Sequence, residues 1–363
     1  MEFYCPKCKK RDLASTPLPC CPCGTLWRLD FRAPEFDLKK VDSSEWSIFR
    51  YRHFMALSGE HWRNVSLGEG LSPILRFKDE ILIKMEYFMP TLSYKDRGAA
   101  VLIAHCKAAG IKQVVQDSSG NAGNAVAAYC GKAGIKCEIF VPEGTSPKKI
   151  AMIKAHGSQC TVVPGNRDNC AEVCRAKVIN EGVYYANHVY NPLFYEGTKT
   201  YVYEIYEQLG RIPKTLVIPV GNGTLFLGTI MALQELIDSG LIKEFPQIIA
   251  VQSENCDPLL QAATGGRLEA AEILPRPTMA EGIAIGKPKR AEEILEYSRM
   301  YGVRFVHAPE DGILTARSEL AAKGVYVEHT TAANLAGYYN YVKHYGSPSD
   351  CLIPMCGAGL KSD

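Results

Sequence analysis

Two loops of small residues, each set between a short apolar run and a helix-length stretch, constrain the fold of this chain more than any other feature. Ile111 to Gln116 runs into Asp117-Ser118-Ser119-Gly120-Asn121-Ala122-Gly123-Asn124, and Leu216 to Val220 runs into Gly221-Asn222-Gly223-Thr224-Leu225. Further strand-like runs lie at Lys136 to Val141, Ile248 to Gln252 and Cys351 to Met355, the last leading into Cys356-Gly357-Ala358-Gly359, and Asn121 to Ala133 has helix length. Such alternation buries its apolar faces as parallel sheets flanked by helices, an α/β fold. With 363 residues, 47% hydrophobic and 22% charged, the chain can fill two globular domains.

The N-terminal segment, residues 1–42, reads differently. Five of the 14 cysteines cluster there, in Cys5-Pro6-Lys7-Cys8 and Cys20-Cys21-Pro22-Cys23. Two C-x2-C pairs can present four thiolates tetrahedrally to one zinc ion, so Cys5, Cys8, Cys20 and Cys23 are expected to hold a structural zinc in a ribbon-like segment, with Cys21 as a spare. Free thiols or a redox disulfide are the bland alternative. No His or carboxylate set able to activate water stands nearby. The remaining cysteines sit singly in apolar contexts, as buried thiols do.

A net charge of +2 and a pI near 7.9 leave no one-sided field, and no Lys/Arg block tracks a phosphate backbone. Nucleic acid is not an expected partner. Neither a leader-like N-terminus nor a membrane-length apolar run is present, so a cytoplasmic protein with no membrane partner is expected.

Ser93-Tyr94-Lys95-Asp96-Arg97-Gly98 places a lysine just before a helical pattern beginning at Ala99. A helix N-terminus disfavours a second positive charge, and the neutral amine is the form that attacks carbonyls. Alone, such a lysine is more often a solvated surface residue. The loop from Ser118 could grip a carboxylate through hydroxyls and backbone N–H groups, and the loop from Gly221 could cradle a phosphate at a helix start. Either could also be a plain tight turn.

Together and in this order, these elements resemble the fold-type-II family of pyridoxal-phosphate enzymes, and Lys95 matches the lysine of the family's S-[FY]-K-D-R-G motif. The cysteine ribbon, Gly68-Glu69-Gly70-Leu71-Ser72-Pro73, Glu196-Gly197-Thr198-Lys199-Thr200 and Gly357-Ala358-Gly359-Leu360-Lys361 are most similar to threonine synthases within it. The resemblance implies a Schiff base between Lys95 and pyridoxal 5'-phosphate, with Lys95 later taking the α proton. It implies Tyr94 against the cofactor ring, Asn121 on the ring oxygen, and Gly221, Asn222, Gly223, Thr224 and Leu225 on the phosphate. Cys356 would face the pyridine nitrogen, where a thiol restrains the electron sink. Ser118, Ser119, Gly120 and Ala122 would hold the carboxylate of a small amino-acid substrate, with His188 and Glu281 as further substrate contacts. The family further implies a homodimer. It also implies a large cofactor-binding domain of residues 43–97 and 191–363, and a small mobile domain of residues 98–190.

One stretch departs from that pattern. Threonine synthases carry N-S-x-N-P-x-R before their E-G-Q-K-T motif, and its Asn, Ser and Arg grasp a substrate phosphate. Here His188, Val189 and Phe194 stand at those positions, and Leu92 replaces the glycine of N-P-T-G-S. A dianion would be poorly paired there. The expected activity is therefore a threonine synthase-like lyase or synthase. The alternatives are a β-replacing synthase of the cysteine or cysteate synthase kind, and a serine/threonine dehydratase or diaminopropionate ammonia-lyase. A non-catalytic relative that only binds is the reading from another class, and Lys95, Asn121 and the glycine loop speak against it.

Overall fold

The structure, a computed structural model, describes residues 1–361. Its contacts divide the chain into two units: Met1–Leu71 with Lys95–Thr200, and Ser72–Tyr94 with Tyr201 onward.

The first unit carries a four-stranded, all-parallel sheet in the order Gln159–Val163, Lys136–Pro142, Gln113–Asp117, Tyr184–Tyr185. In a strand, alternate residues face opposite sides. Val114 accordingly joins the core that contains the helix Lys95–Ala108, whereas Val115 joins Cys170, Cys174 and Tyr185 on the other face. The helix Lys95–Ala108 is buried almost all round, from Asp96 to Cys106, which suits its run of Ala99-Ala100-Val101-Leu102-Ile103-Ala104. It starts at Lys95, earlier than the apolar pattern suggests, because Asp96 and Arg97 are themselves buried and Arg97 Nη1 donates to Thr200 Oγ1 at 3.1 Å.

The N-terminal segment of this unit forms a small antiparallel sheet in the order Arg11–Leu13, Glu2–Tyr4, Arg28–Leu29. Its Phe3 and Trp27 stack, with centroids 6.5 Å apart, and belong to the same core as the helix Lys95–Ala108. Tyr184 Oη and His105 Nε2 both reach the carbonyl of Ala14, at 3.0 and 3.1 Å.

The second unit carries a six-stranded sheet in the order Arg304–Ala308, Gln247–Ser253, Thr215–Pro219, Cys351–Pro354, Ile81–Lys84, Ile74–Lys78. All pairs are parallel except the last, so the expected parallel sheet is mixed at one edge. Because Ile81–Lys84, Cys351–Pro354 and Thr215–Pro219 are parallel neighbours, the chain leaves all three at the same sheet edge, the side on which ligands gather in α/β folds. No helix among the described residues is long and apolar enough to cross a membrane. Outside the N-terminal segment every cysteine is buried except Cys160, which is half-buried.

Candidate active site

In the second unit, the strand Thr215–Pro219 passes through Gly221 and Gly223 into the helix Thr224–Asp238. Gly223 has φ +77°, and a Cβ there would come within 2.5 Å of Ile294 Cδ1. A Cβ on Gly221 would lie 3.0 Å from Ile283 Cα. Position 223 therefore requires glycine, and a side chain at Gly221 would crowd its neighbours. The helix has no side-chain cap hydrogen bond, so its leading amides suit an anion. Thr224, its first residue, is buried, and its Oγ1 lies 2.9 Å from Tyr94 Oη. Loss of water raises the Tyr94 hydroxyl well above the usual phenol range, so it stays protonated.

Tyr94 N donates to the Cys356 carbonyl at 3.0 Å, and Asn334 Nδ2 approaches Cys356 Sγ at 3.9 Å. Gly357 is tightly enclosed: its N–H meets Thr331 Oγ1 at 2.9 Å, and a Cβ would strike the Glu328 carboxyl at 2.4 Å. Glu281 is exposed and opens the short helix Glu281–Ile283, and the next residue, Gly282, presents its carbonyl to Gly221. Tyr94, Thr224 and Cys356 are thus joined by direct contacts, with Gly221 and the Glu281 segment abutting each other. Leu92 takes φ +62°, a left-handed conformation that favours glycine, and is 41% exposed.

In the first unit, the strand Gln113–Asp117 leads through Ser118, Ser119 and Gly120 into the helix Asn121–Ala133, again without a side-chain cap. The turn is so tight that a Cβ on Gly123 would fall 1.9 Å from the Ser118 carbonyl oxygen. Ser118, Ser119 and Asn121 are half-buried, Gly120 is exposed and Ala122 is buried. The neighbouring parallel strand Tyr184–Tyr185 leads to His188, so both segments leave the sheet at one edge.

Lys95 Nζ lies 5.9 Å from the centroid of the Phe194 ring, and the His188 ring meets the same phenyl edge-on at 5.9 Å. Phe194 is fully buried against the helix Lys95–Ala108, where a Cβ on Gly98 would come 2.2 Å from its ring. A Cβ on Gly197 would likewise lie 1.9 Å from the Arg97 carbonyl oxygen. His188 is buried, which pushes its pKa well below the usual range, with Lys95 and Arg167 adding to the effect. Asn187 is fully used in structure, its amide donating to Asp117 at 2.8 Å and its oxygen accepting from Val189 N at 2.8 Å.

Sequence reasoning missed Gln116, which is fully buried and donates from Nε2 to His188 Nδ1 at 3.2 Å. The available signal was an amide inside the run Val114-Val115-Gln116. It also missed Asn334 beside Cys356, and Glu69, a buried carboxyl group taking hydrogen bonds from Tyr129 Oη at 2.9 Å and Leu67 N at 2.8 Å.

The cysteine cluster needs a correction. The thiols lying within 4.8 Å of one another are those of Cys5, Cys8, Cys21 and Cys23, not Cys20. Cys21 N donates to Thr25 O and Gly24 N to Cys21 O, a turn that aims Cys21 and Cys23 together and leaves Cys20 outside. Sulfur separations of 3.4 Å (Cys8–Cys21) and 3.5 Å (Cys5–Cys23) approach the ~3.8 Å edge of a tetrahedron with zinc–sulfur bonds of ~2.3 Å. The four thiols therefore fit a metal.

Residues 65–357 match the model of the pyridoxal-phosphate dependent enzyme family, and the chain belongs to that family. Within it the protein is threonine synthase-like. It is 32% identical to the threonine synthase of Mycobacterium leprae over 316 residues, 84% of this chain and 85% of the relative. It is 29% identical to that of Methanocaldococcus jannaschii over 351 residues, 92% and 85%. Among solved structures, a T.th. threonine deaminase superposes with a TM-score of 0.64 at 26% identity, over 77% of this chain and 87% of that one. The first unit offers a primary amine at Lys95, and the second an uncapped helix start preceded by two tightly enclosed glycines, donors of the kind the family's cofactor needs.

Proposed function

We propose that the protein eliminates or replaces a substituent on the β or γ carbon of an amino acid, with Lys95 as the residue that carries pyridoxal phosphate. The observation carrying this reading is the hydrogen bond of Tyr94 to Thr224 at 2.9 Å. The residue one peptide bond before Lys95 is tied to the first turn of the helix whose bare N-terminus suits a phosphate. The cofactor, when bound, supplies an electron sink for bonds at the substrate α carbon.

The chain's own groups divide the remaining work. Gly221, Asn222, Gly223, Thr224 and Leu225 would hold the phosphate through backbone N–H groups, with Tyr94 against the ring and Asn121 on the ring oxygen. Cys356 would face the ring nitrogen, and a thiol would not charge that nitrogen as a carboxylate would. This restraint favours loss of a side-chain substituent over racemisation. Ser118, Ser119, Gly120 and Ala122 clasp the substrate carboxylate, Lys95 Nζ removes the α proton, and Glu281 and His188 contact the rest of the substrate. Cys5, Cys8, Cys21 and Cys23 hold a structural zinc.

The relatives' names favour threonine formation, whereas buried Val189 and Phe194 favour a substituent less charged than a phosphate. The latter reading fits a dehydratase, an ammonia-lyase or a β-replacing synthase. An absorbance scan of the cofactor-loaded protein separates them. Lys95→Ala is expected to lose the visible band of lysine-bound cofactor, and its persistence would refute the role of Lys95. If phosphohomoserine alone perturbs the band and yields threonine, the protein is a threonine synthase. A response to three-carbon hydroxy or diamino acids identifies the second class.

A further inference from the structure

Gln116 is a costly residue to place where it is. It is the penultimate residue of the strand Gln113–Asp117 and shares a face with Val114, toward the core of the helix Lys95–Ala108 and away from Cys170 and Cys174. It is fully buried, its Nε2 donates to His188, and its Oε1 is buried without a hydrogen-bond partner among the described residues. An orphaned buried acceptor is destabilising, a cost that an apolar side chain of the same size would avoid. Neighbouring Asn187, whose oxygen and amide are both engaged, shows what a purely structural amide looks like here.

The amide also fixes the tautomer of His188. With Nδ1 accepting from Gln116, the ring proton sits on Nε2, and burial keeps the ring neutral. Nε2 has no protein partner among the described residues, and the Phe194 ring neighbours both this imidazole and Lys95. The pair therefore offers one donor, His188 Nε2–H, and one acceptor, Gln116 Oε1, and itself carries no charge. Arg167, the other cation felt by His188, is exposed and also acts on Asp117, which lies on the opposite face of the strand from Gln116.

A hydroxyl complements such a pair, since it accepts one hydrogen bond and donates another. A phosphate monoester is a dianion with acceptors only: it would leave its charge unpaired and meet the amide oxygen with like polarity. We propose that Gln116 and His188 together read an uncharged hydroxyl on the substrate side chain, so that the protein selects hydroxy amino acids over their phosphorylated counterparts. This rests on the reading of Lys95 given above. His188 is the donor and Gln116 both the acceptor and the residue that positions it.

The test titrates the cofactor's absorbance in the loaded protein with serine, threonine and homoserine, with their O-phospho forms, and with alanine and 2-aminobutyrate, which lack the hydroxyl. Hydroxy amino acids are expected to bind at least about tenfold more tightly than both other sets, the worth of one net hydrogen bond. Gln116→Leu and His188→Phe are expected to erase that preference while changing alanine and 2-aminobutyrate binding less than about threefold. Tighter binding of the phosphorylated forms, or equal loss for hydroxylated and unhydroxylated ligands, would overturn the proposal. Nitrogen-15 NMR of the unmutated protein gives a readout independent of any variant's folding: His188 must be the Nε2–H tautomer, and the Nδ1–H form refutes it. If Lys95→Ala keeps the band, the lysine reading falls and this inference with it. If Lys95→Ala loses the band but hydroxyls confer no preference, only this inference falls.

Discussion

Gly98 has a hydrogen where any other residue would drive a carbon to 2.2 Å from the Phe194 ring. Alanine normally gains about 1 kcal/mol over glycine inside a helix, but overpacking a filled core costs about 1–3 kcal/mol. Gly98→Ala is therefore expected to lower the unfolding midpoint in a thermal melt, and to cost far less when Phe194→Ala has already removed the ring. An additive pair would mean that the contact is not what requires glycine. Phe194 was legible in the sequence as apolar bulk in place of a cation, but not its support, because Gly98 lies on a distant helix in the chain. Gln116 was illegible for a different reason: a strand-like run shows which residues alternate, not which buried amide finds a histidine. Nor does the sequence signal the burial of Asp96 and Arg97, charged residues at a helix start that are both fully buried here.

Secondary-structure elements were more legible than single contacts. The run Leu216 to Val220 overlaps the strand Thr215–Pro219 with a one-residue shift, Ile248 to Gln252 lies on Gln247–Ser253, and Asn121 to Ala133 is a helix with those ends. These stretches declare themselves because period and burial agree along their length. The cysteine knuckle did not, because adjacent Cys20 and Cys21 offer equal chemistry and only the turn closed by Gly24 N on Cys21 O at 2.8 Å chooses between them. Cys21→Ser is accordingly expected to abolish bound zinc, measured as metal per chain after purification, while Cys20→Ser keeps it. Retention in Cys21→Ser with loss in Cys20→Ser would restore the pairing read from spacing. The cluster bears on more than the N-terminal sheet, since Cys5 and Cys21 belong to the same core as the helix that begins at Lys95.

Stability of the whole chain depends on pH through groups that sequence alone gives no means to place. Burial pushes His105 down to about 4 from the usual 6.5, so the folded form refuses a proton that the unfolded chain accepts. Its contribution is complete above 6.5 and is lost as pH falls toward 4. Glu69 works in the opposite sense: burial raises it to about 7 from 4.5, so its folded carboxyl keeps a proton that the unfolded one releases. That contribution is complete below 4.5 and is lost as pH rises through 7. One proton per pH unit amounts to about 1.4 kcal/mol, so Glu69 accounts for roughly 3 kcal/mol across its window. Glutamine carries no titrating proton and can still accept from Tyr129. Glu69→Gln should therefore gain on the unmutated protein by about that amount in urea unfolding between pH 4.5 and 7.5, and His105→Gln should gain as pH falls from 6.5 to 4. The two difference curves must slope in opposite directions. A flat curve for Glu69→Gln would mean that the Glu69 carboxyl is already ionised in the folded core at neutral pH, its charge held by the N–H of Leu67 and the hydroxyl of Tyr129.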